Sequence, residues 1–483
     1  MDKILRTTPG EQPLAMPAQD LHHWAVAARH VTPAAGTRKA RIFVFGFTAL
    51  LTGAGTYGMY QVISPVNVTW LQLLFATLFA LTFTWIAFAC ASACLGFWVL
   101  LRNRLPAAAL APHAQMGRTA LLMPVYNEDP EHVFAALSRM GRALMWQGAQ
   151  RHFDIFVLSD TRKLDIAAME ERCFRDLRKS FQGEMGIFYR RRVENHHRKA
   201  GNIADFVTRW GGAYDHMIVL DADSEMSGDV MVTLARAMAA DAEAGIIQSL
   251  PLLQNRWTPF ARMTQFAGRV YGPLVAAGLS VWHGRDGNYW GHNAIIRTRA
   301  FAEAAGLPEL PGRKPFGGHI LSHDFVEAAL MRRAGWAVYM LPQLRGSYEE
   351  TPPCLIDLAV RDRRWAQGNL QHAKLLRTAG LHWISRVHLV QGIMSYLASP
   401  LWLLLLVAGL RDPRDHPRRQ AAEQVDVRQD RREPLAVRAH GSHSPCACTV
   451  GGAGGAACLR RRLGGRTGPR HAFPRCGGSP TRR

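Results

Sequence analysis

Ile42–Ile63 and Trp70–Leu101 contain no Asp, Glu, Lys or Arg. A helix crossing a hydrocarbon core of about 30 Å needs roughly 20 predominantly apolar residues, and in lipid a helix satisfies its own backbone. The sequence therefore predicts two transmembrane helices. Arg38, Lys39 and Arg41 precede the first, Arg102 and Arg104 follow the second, and the connection Ser64–Thr69 is uncharged. The positive-inside bias puts both outer flanks in the cytoplasm and the short connection outside. Residues 1–41 are expected to form a loose cytoplasmic arm, 42–101 the helix pair, and the chain from Asn103 to about Ile384 a cytosolic domain. The first 40 residues lack the apolar core of a cleavable signal peptide.

From Thr119 the pattern changes to strand and helix alternation. Apolar runs at 120–125, 153–158, 187–189, 217–220 and 246–250 alternate with helix-like stretches at 131–147, 164–180, 200–210 and 228–241. That order predicts a doubly wound, mostly parallel sheet. One run, Met217-Ile-Val-Leu220, passes without a spacer into Asp221-Ala222-Asp223. In open α/β sheets ligands gather at the carboxyl ends of the strands, which puts both acids at the mouth of a site. Two acids one residue apart are best reconciled by a divalent cation, and oxygen-only ligation selects Mg²⁺ or Mn²⁺ over zinc. The plain alternative is a solvated turn with a helix cap at Ser224 or Ser227.

The net charge of +21 invites a nucleic-acid reading, but residues 411–483 hold sixteen Arg, no Lys and six acids, so this segment alone supplies +10. The eight cysteines show no paired C-x-x-C spacing, which excludes a zinc ribbon or a disulfide framework. His319 and His323 are four apart, but Ile320 stands where a zinc protease needs Glu. Arg190-Arg191-Arg192 with His196, His197 and Arg198 is read as a solvated basic edge favouring an anionic donor.

Further patterns flank the Asp-x-Asp turn in order: Pro124-Val-Tyr-Asn-Glu128, Leu158-Ser-Asp160, Lys199-Ala-Gly-Asn202, Ser322-His-Asp324 and Arg361-Asp-Arg-Arg-Trp365. The set resembles the inverting family 2 glycosyltransferases, the superfamily of the cellulose, chitin and hyaluronan synthases. Within it, Arg361-Asp-Arg-Arg-Trp-Ala-Gln-Gly-Asn-Leu-Gln-His372, Ser322-His-Asp-Phe-Val-Glu327 and Gly287-Asn-Tyr-Trp-Gly-His-Asn293 look like the glucans biosynthesis glucosyltransferase H family. The resemblance covers roughly residues 20–410. It implies a GT-A-like fold, UDP-glucose as donor, a β-1,2-linked glucan as product, and a multi-pass protein of the bacterial inner membrane. It also implies a periplasmic glucan-biosynthesis partner and acyl carrier protein as associates. No nucleic-acid partner is expected.

Chemistry assigns the roles. A departing nucleoside diphosphate needs its charge neutralised, by a metal on Asp221 and Asp223 and by Lys199 and Arg364. The attacking hydroxyl must lose a proton, and Asp324 is the candidate general base. Trp365 and Trp290 are candidates to stack on sugar rings. Glu128 and Asp160 are assigned to the uridine by the resemblance. The superfamily pattern begins the last motif with Gln where this chain has Arg361, whose role stays open. The rival reading is a truncated, inactive membrane protein that binds nucleotide sugar or partners without turnover.

Residues 386–410 form a third apolar segment. Composition then shifts to Arg, Gly, Ala, Pro and His, and sixteen Arg on the external side contradict the charge rule. Residues 411–483 are therefore read as frame-shifted, the alternative being a basic disordered tail that binds acidic lipid.

Overall fold

The computed structural model describes residues 7–24, 30–63, 69–103, 105 and 114–410. Residues 64–68 of the expected external connection and the Arg-rich segment from 411 lie outside them.

Two long helices come first, α1 (Thr37–Ile63) and α2 (Trp70–Leu101). Then follow β1 (Thr119–Val125), α3 (Pro130–Trp146), β2 (Phe153–Ser159), α4 (Leu164–Ser180), β3 (Gly186–Arg191), α5 (Arg198–Trp210), β4 (His216–Val219), β5 (Glu225–Met226), α6 (Gly228–Ala240), β6 (Ala244–Ser249) and β7 (Leu252–Gln254). The chain continues through α7 (Pro259–His283), β8 (Ala294–Arg297), α8 (Thr298–Ala304), α9 (His323–Arg333), β9 (Ala337–Leu341), β10 (Ser347–Glu350), α10 (Leu355–Leu375) and α11 (Trp383–Leu410).

The main sheet has seven strands in the order β3-β2-β1-β4-β8-β6-β9, and a small sheet has the order β5-β10-β7. In the main sheet β8 alone runs antiparallel to its neighbours β4 and β6. Alternation along β1 explains the layers. Leu121, Met123 and Val125 point into a core shared with α3, α4 and α6, while Ala120 and Leu122 face α5, α8 and α9. Both sheet faces are covered, so the strands read as continuous apolar runs.

Helices α1, α2 and α11 are long and apolar enough to cross a membrane. They begin at or before the sequence bounds: α1 starts at Thr37 and α11 at Trp383. An acid fastens them to the sheet domain. Asp286 accepts from Arg41 of α1 at 2.7 Å and from Arg332 of α9 at 2.8 Å, while its carbonyl meets His388 of α11 at 3.1 Å. Trp282 of α7 donates its indole N–H to Ser92 of α2 at 2.7 Å.

The amino-terminal arm differs from expectation. Residues 7–24 lie as a strap along the sheet domain: the Thr7 carbonyl accepts from Tyr189 N–H at 2.9 Å, Gln12 N–H donates to Arg209 O at 2.8 Å, and Gln19 N–H donates to Gly306 O at 2.9 Å. Further on, Arg333 donates to the Asp20 carbonyl at 2.8 Å, and its guanidinium stacks over Trp24 at 4.2 Å. Gly306 is needed for this fit, because a Cβ there would stand 2.0 Å from the Pro17 carbonyl oxygen. A strap rich in Pro and Ala has little side-chain signal of its own; its backbone groups and distant seats hold it.

Candidate active site

The loops leaving β1 and β2 are laced together. Asn127 sits at φ +61°, its side-chain oxygen accepts from the N–H groups of Arg162 and Lys163, both at 3.1 Å, and its own N–H donates to Thr161 Oγ1 at 2.9 Å. Beneath them lies Glu170 of α4, 2% exposed. It accepts from the hydroxyls of Ser159 at 2.7 Å, Thr161 at 2.5 Å and Tyr189 at 2.9 Å. Three donors satisfy a carboxylate that would otherwise be costly to bury. At the rim, Glu128 accepts from Tyr126 N–H. Desolvation in the crevice raises its pKa, with Glu170 and Asp221 adding repulsion.

Strand β4 delivers the Asp-x-Asp turn. Asp221 N–H donates to Ser224 Oγ at 3.0 Å and Ser224 N–H returns to the Asp221 carbonyl at 2.9 Å. Ser224 thus closes the turn, and Ser227 is the cap of α6. The Lys199 ammonium, from the first turn of α5, pairs with Asp221 and donates to the Gly291 carbonyl at 2.7 Å. Burial pushes the Asp221 carboxyl up, but Lys199 and His292 pull harder and bring it down to about 2. Asp223 has no ion-pair partner among the described residues. Burial and the neighbouring Asp221 push it up to about 6. Lys199 and His292 offset Asp221 while Asp223 adds a second carboxylate, and the pair offers an all-oxygen donor set, which fits Mg²⁺ or Mn²⁺ held by two protein acids and completed by substrate phosphates. No cluster of three or more metal-ligating side chains exists among the described residues.

Gly291 joins this turn to the candidate base. At φ +91° it turns its carbonyl to Lys199, and on its other side a Cβ would lie 3.5 Å from Asp324 Oδ2. Asp324, in the first turn of α9, accepts from the Ser322 hydroxyl at 3.1 Å. His292, one residue on, meets Glu349 of β10 at 3.1 Å. Burial opposes its charge, but Asp221 and Glu349 outweigh that and raise it to about 9. Helix α10 presents Arg364 to the same crevice. Desolvation, then repulsion from Arg198, lowers its pKa, and Asp221 acts in the opposite sense. Trp365, 44% exposed, carries the Arg361 guanidinium 4.3 Å over its ring. That contact gives Arg361 a physical role.

Asp221, Asp223, Lys199 and Asp324 therefore converge, with Glu128 and Arg364 within electrostatic reach of Asp221. Asp160 is at the expected strand end, but it is 4% exposed and both its oxygens are held by Arg192 at 2.7 Å. The basic run is a solvated edge only in part: Arg191, His196, His197 and Arg198 are exposed, whereas Arg190 and Arg192 turn inward. Arg190 is buried against Asp205 at 2.8 Å, and Arg191 donates to the Thr161 carbonyl at 3.0 Å. These acids lie far away in sequence, so the run reads as surface until folded. Trp290 is half-buried and its backbone N–H donates to Gln248 Oε1 at 2.9 Å. His323 meets Glu327 at 3.0 Å, with no zinc-like grouping. Glu170 and Glu349 were not singled out from sequence, whereas His292 lay inside a recognised motif.

A mostly parallel sheet with Asp-x-Asp at the end of a central strand defines a sugar-nucleotide transferase class of the GT-A type. Family models agree: Glycosyl transferase family 2 matches residues 120–304 and Glycosyl transferase family group 2 matches 216–414. The chain belongs to the family 2 glycosyltransferases. Its homologues include curated proteins named Glucans biosynthesis glucosyltransferase H. The one from Bradyrhizobium diazoefficiens is 55% identical over 83% of this chain and 54% of its own length. That from Xanthomonas euvesicatoria is 50% identical over 86% of this chain and 65% of its own length. The chain thus spans about half to two thirds of these relatives. Among solved structures, a mannosyltransferase from Pyrobaculum calidifontis in complex with GDP-mannose and Mn²⁺ aligns with 72% of this chain and 92% of its own, at 14% identity and a TM-score of 0.46; nothing further is drawn from that likeness.

Proposed function

We propose that this chain carries the donor-binding and catalytic part of an inverting glucosyltransferase of the bacterial inner membrane, anchored by several spans with its sheet domain in the cytoplasm. It moves glucose from UDP-glucose onto a growing β-glucan, the β-1,2 backbone of osmoregulated periplasmic glucans. The observation that carries this reading is the convergence on Gly291 of the Lys199–Asp221 pair from one side and Asp324 from the other.

Asp221 and Asp223 hold a divalent cation, Mg²⁺ or Mn²⁺. When bound, it supplies Lewis-acid neutralisation of the donor's diphosphate. Lys199 and Arg364 add fixed positive charge where the leaving group gathers negative charge. Asp324 takes the proton of the attacking acceptor hydroxyl. The new glycosidic C–O bond forms as the anomeric C–O bond to phosphate breaks, and one displacement inverts the anomeric centre. Trp365, braced by Arg361, offers an aromatic face to the acceptor sugar. Glu128 lines the nucleoside end, and Asp160 shapes it through Arg192. An acyl carrier protein and a periplasmic glucan-biosynthesis protein complete the proposal as its partners.

Membranes holding the unaltered chain or Asp324→Asn, given labelled UDP-glucose and Mg²⁺, test the base. The variant is expected to lose about 10²–10⁴-fold in turnover, the span of general-base contributions. Equal polymer formation by both removes Asp324 from that role.

A further inference from the structure

A cavity of about 480 Å³ lies behind α5, outside the crevice just described. It falls in the ~300–1,000 Å³ range of small-molecule sites. Met16 and Ala18 of the strap form one wall, Ala204 of α5 another, and Leu307 and Ile320 contribute apolar surface. Glu327, which also lines it, is 2% exposed; one carboxylate oxygen meets His323, and the other, Oε2, meets no hydrogen-bond donor among the described residues. A buried acceptor left without a donor is costly.

The charges around the cavity are already matched in pairs. Arg192 is held by Asp160 and Asp205 by Arg190, while Glu194 lies beside His196, His197 beside Glu309 and Glu327 beside His323. A phosphate entering here would face the carboxylates of Glu194, Asp205 and Glu327. What remains is hydrogen-bond acceptor capacity beside small apolar side chains. That is the complement of a neutral polyol, whose hydroxyls donate while its C–H face rests on Ala, Met, Leu and Ile. We infer that this cavity is a second saccharide site, taking one or two neutral sugar units under the amino-terminal strap. Its inner wall, α5, is the helix that carries Lys199 to Asp221, so an occupant rests on the back of the donor-binding element. The inference stands on the lining and not on the transferase reading; saccharide bound without turnover leaves it intact.

The test is equilibrium binding of sophorose, a β-1,2-linked glucose disaccharide, to the purified full chain saturated with UDP and Mn²⁺. Two variants are compared with the unaltered chain: Ala204→Trp, which fills the space, and Glu327→Gln, which keeps shape but replaces the unpartnered oxygen by an amide. Sophorose affinity is expected to fall about tenfold or more in each, the weight of a hydrogen bond to a charged acceptor or of lost space. UDP affinity is expected to stay unchanged, which also reports that the variants fold. Sophorose binding indifferent to both substitutions, or no saturable binding at all, overturns the proposal. So does displacement of sophorose by inorganic phosphate or tetramethylammonium, which would make the cavity an ion site.

Discussion

Asp286 and the Asp221/Asp223 pair are both acid sites set among basic groups, and they are built to opposite ends. Asp286 is one carboxylate between two arginines, Arg41 and Arg332. Its neighbours over-supply positive charge, and despite the cost of burial Arg332 and Arg41 hold its pKa below the usual carboxylate range. In the crevice Lys199 pairs with Asp221 alone, and Asp223 is pushed up to about 6. A matched acid fastens elements; an unmatched one is a vacancy of charge that a cation can fill.

Substitution separates the two most sharply. Asp223→Asn is expected to lower turnover by about a thousandfold, through loss of several kcal/mol of transition-state charge stabilisation, while the melting temperature stays level or rises as like-charge crowding is relieved. Mn²⁺ is expected to raise the melting temperature of the unaltered chain and not of this variant; an equal shift in both would end the metal assignment. Asp286→Asn should do the reverse. Removing one partner of a buried ion pair costs about 3 kcal/mol, read as an earlier thermal transition of the detergent-solubilised chain with kcat changed little in what remains folded.

Acidity is a gentler probe of the same contrast. The folded pKa of Asp286 is depressed, so its stabilisation is fully present above the unfolded value near 3.9 and is lost as pH falls through the folded one. Melting temperatures compared between neutral pH and the low-pH edge of that window should converge for the unaltered chain and Asp286→Asn; a constant gap would remove the ion-pair account. The smallest effect is expected at Arg361→Gln, which removes a guanidinium from Trp365 worth about 0.5–1 kcal/mol. Acceptor KM should rise a few-fold with kcat and donor KM steady.

The sequence made the donor half of the domain legible because each apolar run there ends in a polar or acidic residue and each helix carries its own periodicity. Helix 164–180 was read to the residue, and Asp221, Asp223, Lys199 and Asp324 were each named. What escaped depends on distant partners. Strand β8 slips antiparallel between β4 and β6 through pairings with two strands on its amino-terminal side. Glu170 looks like any helix acid until Ser159, Thr161 and Tyr189 surround it. The arginines at 190 and 192 looked like surface because their acids, Asp205 and Asp160, are paired only by folding.

The strap bears on how the chain is made. Residues 7–24 are translated well before their last seats: Arg333 lies 313 residues downstream of Asp20, and Gln19 reaches 284 residues ahead to the Glu303 carbonyl. During synthesis Gln19 and Asp20 must wait for these seats while both long helices and most of the sheet emerge. Closing over so large a sequence separation is slow. The carboxyl end of the strap is thus among the last parts of the described chain to come to rest, and a ribosome stalled before Arg333 would leave it without its final anchor.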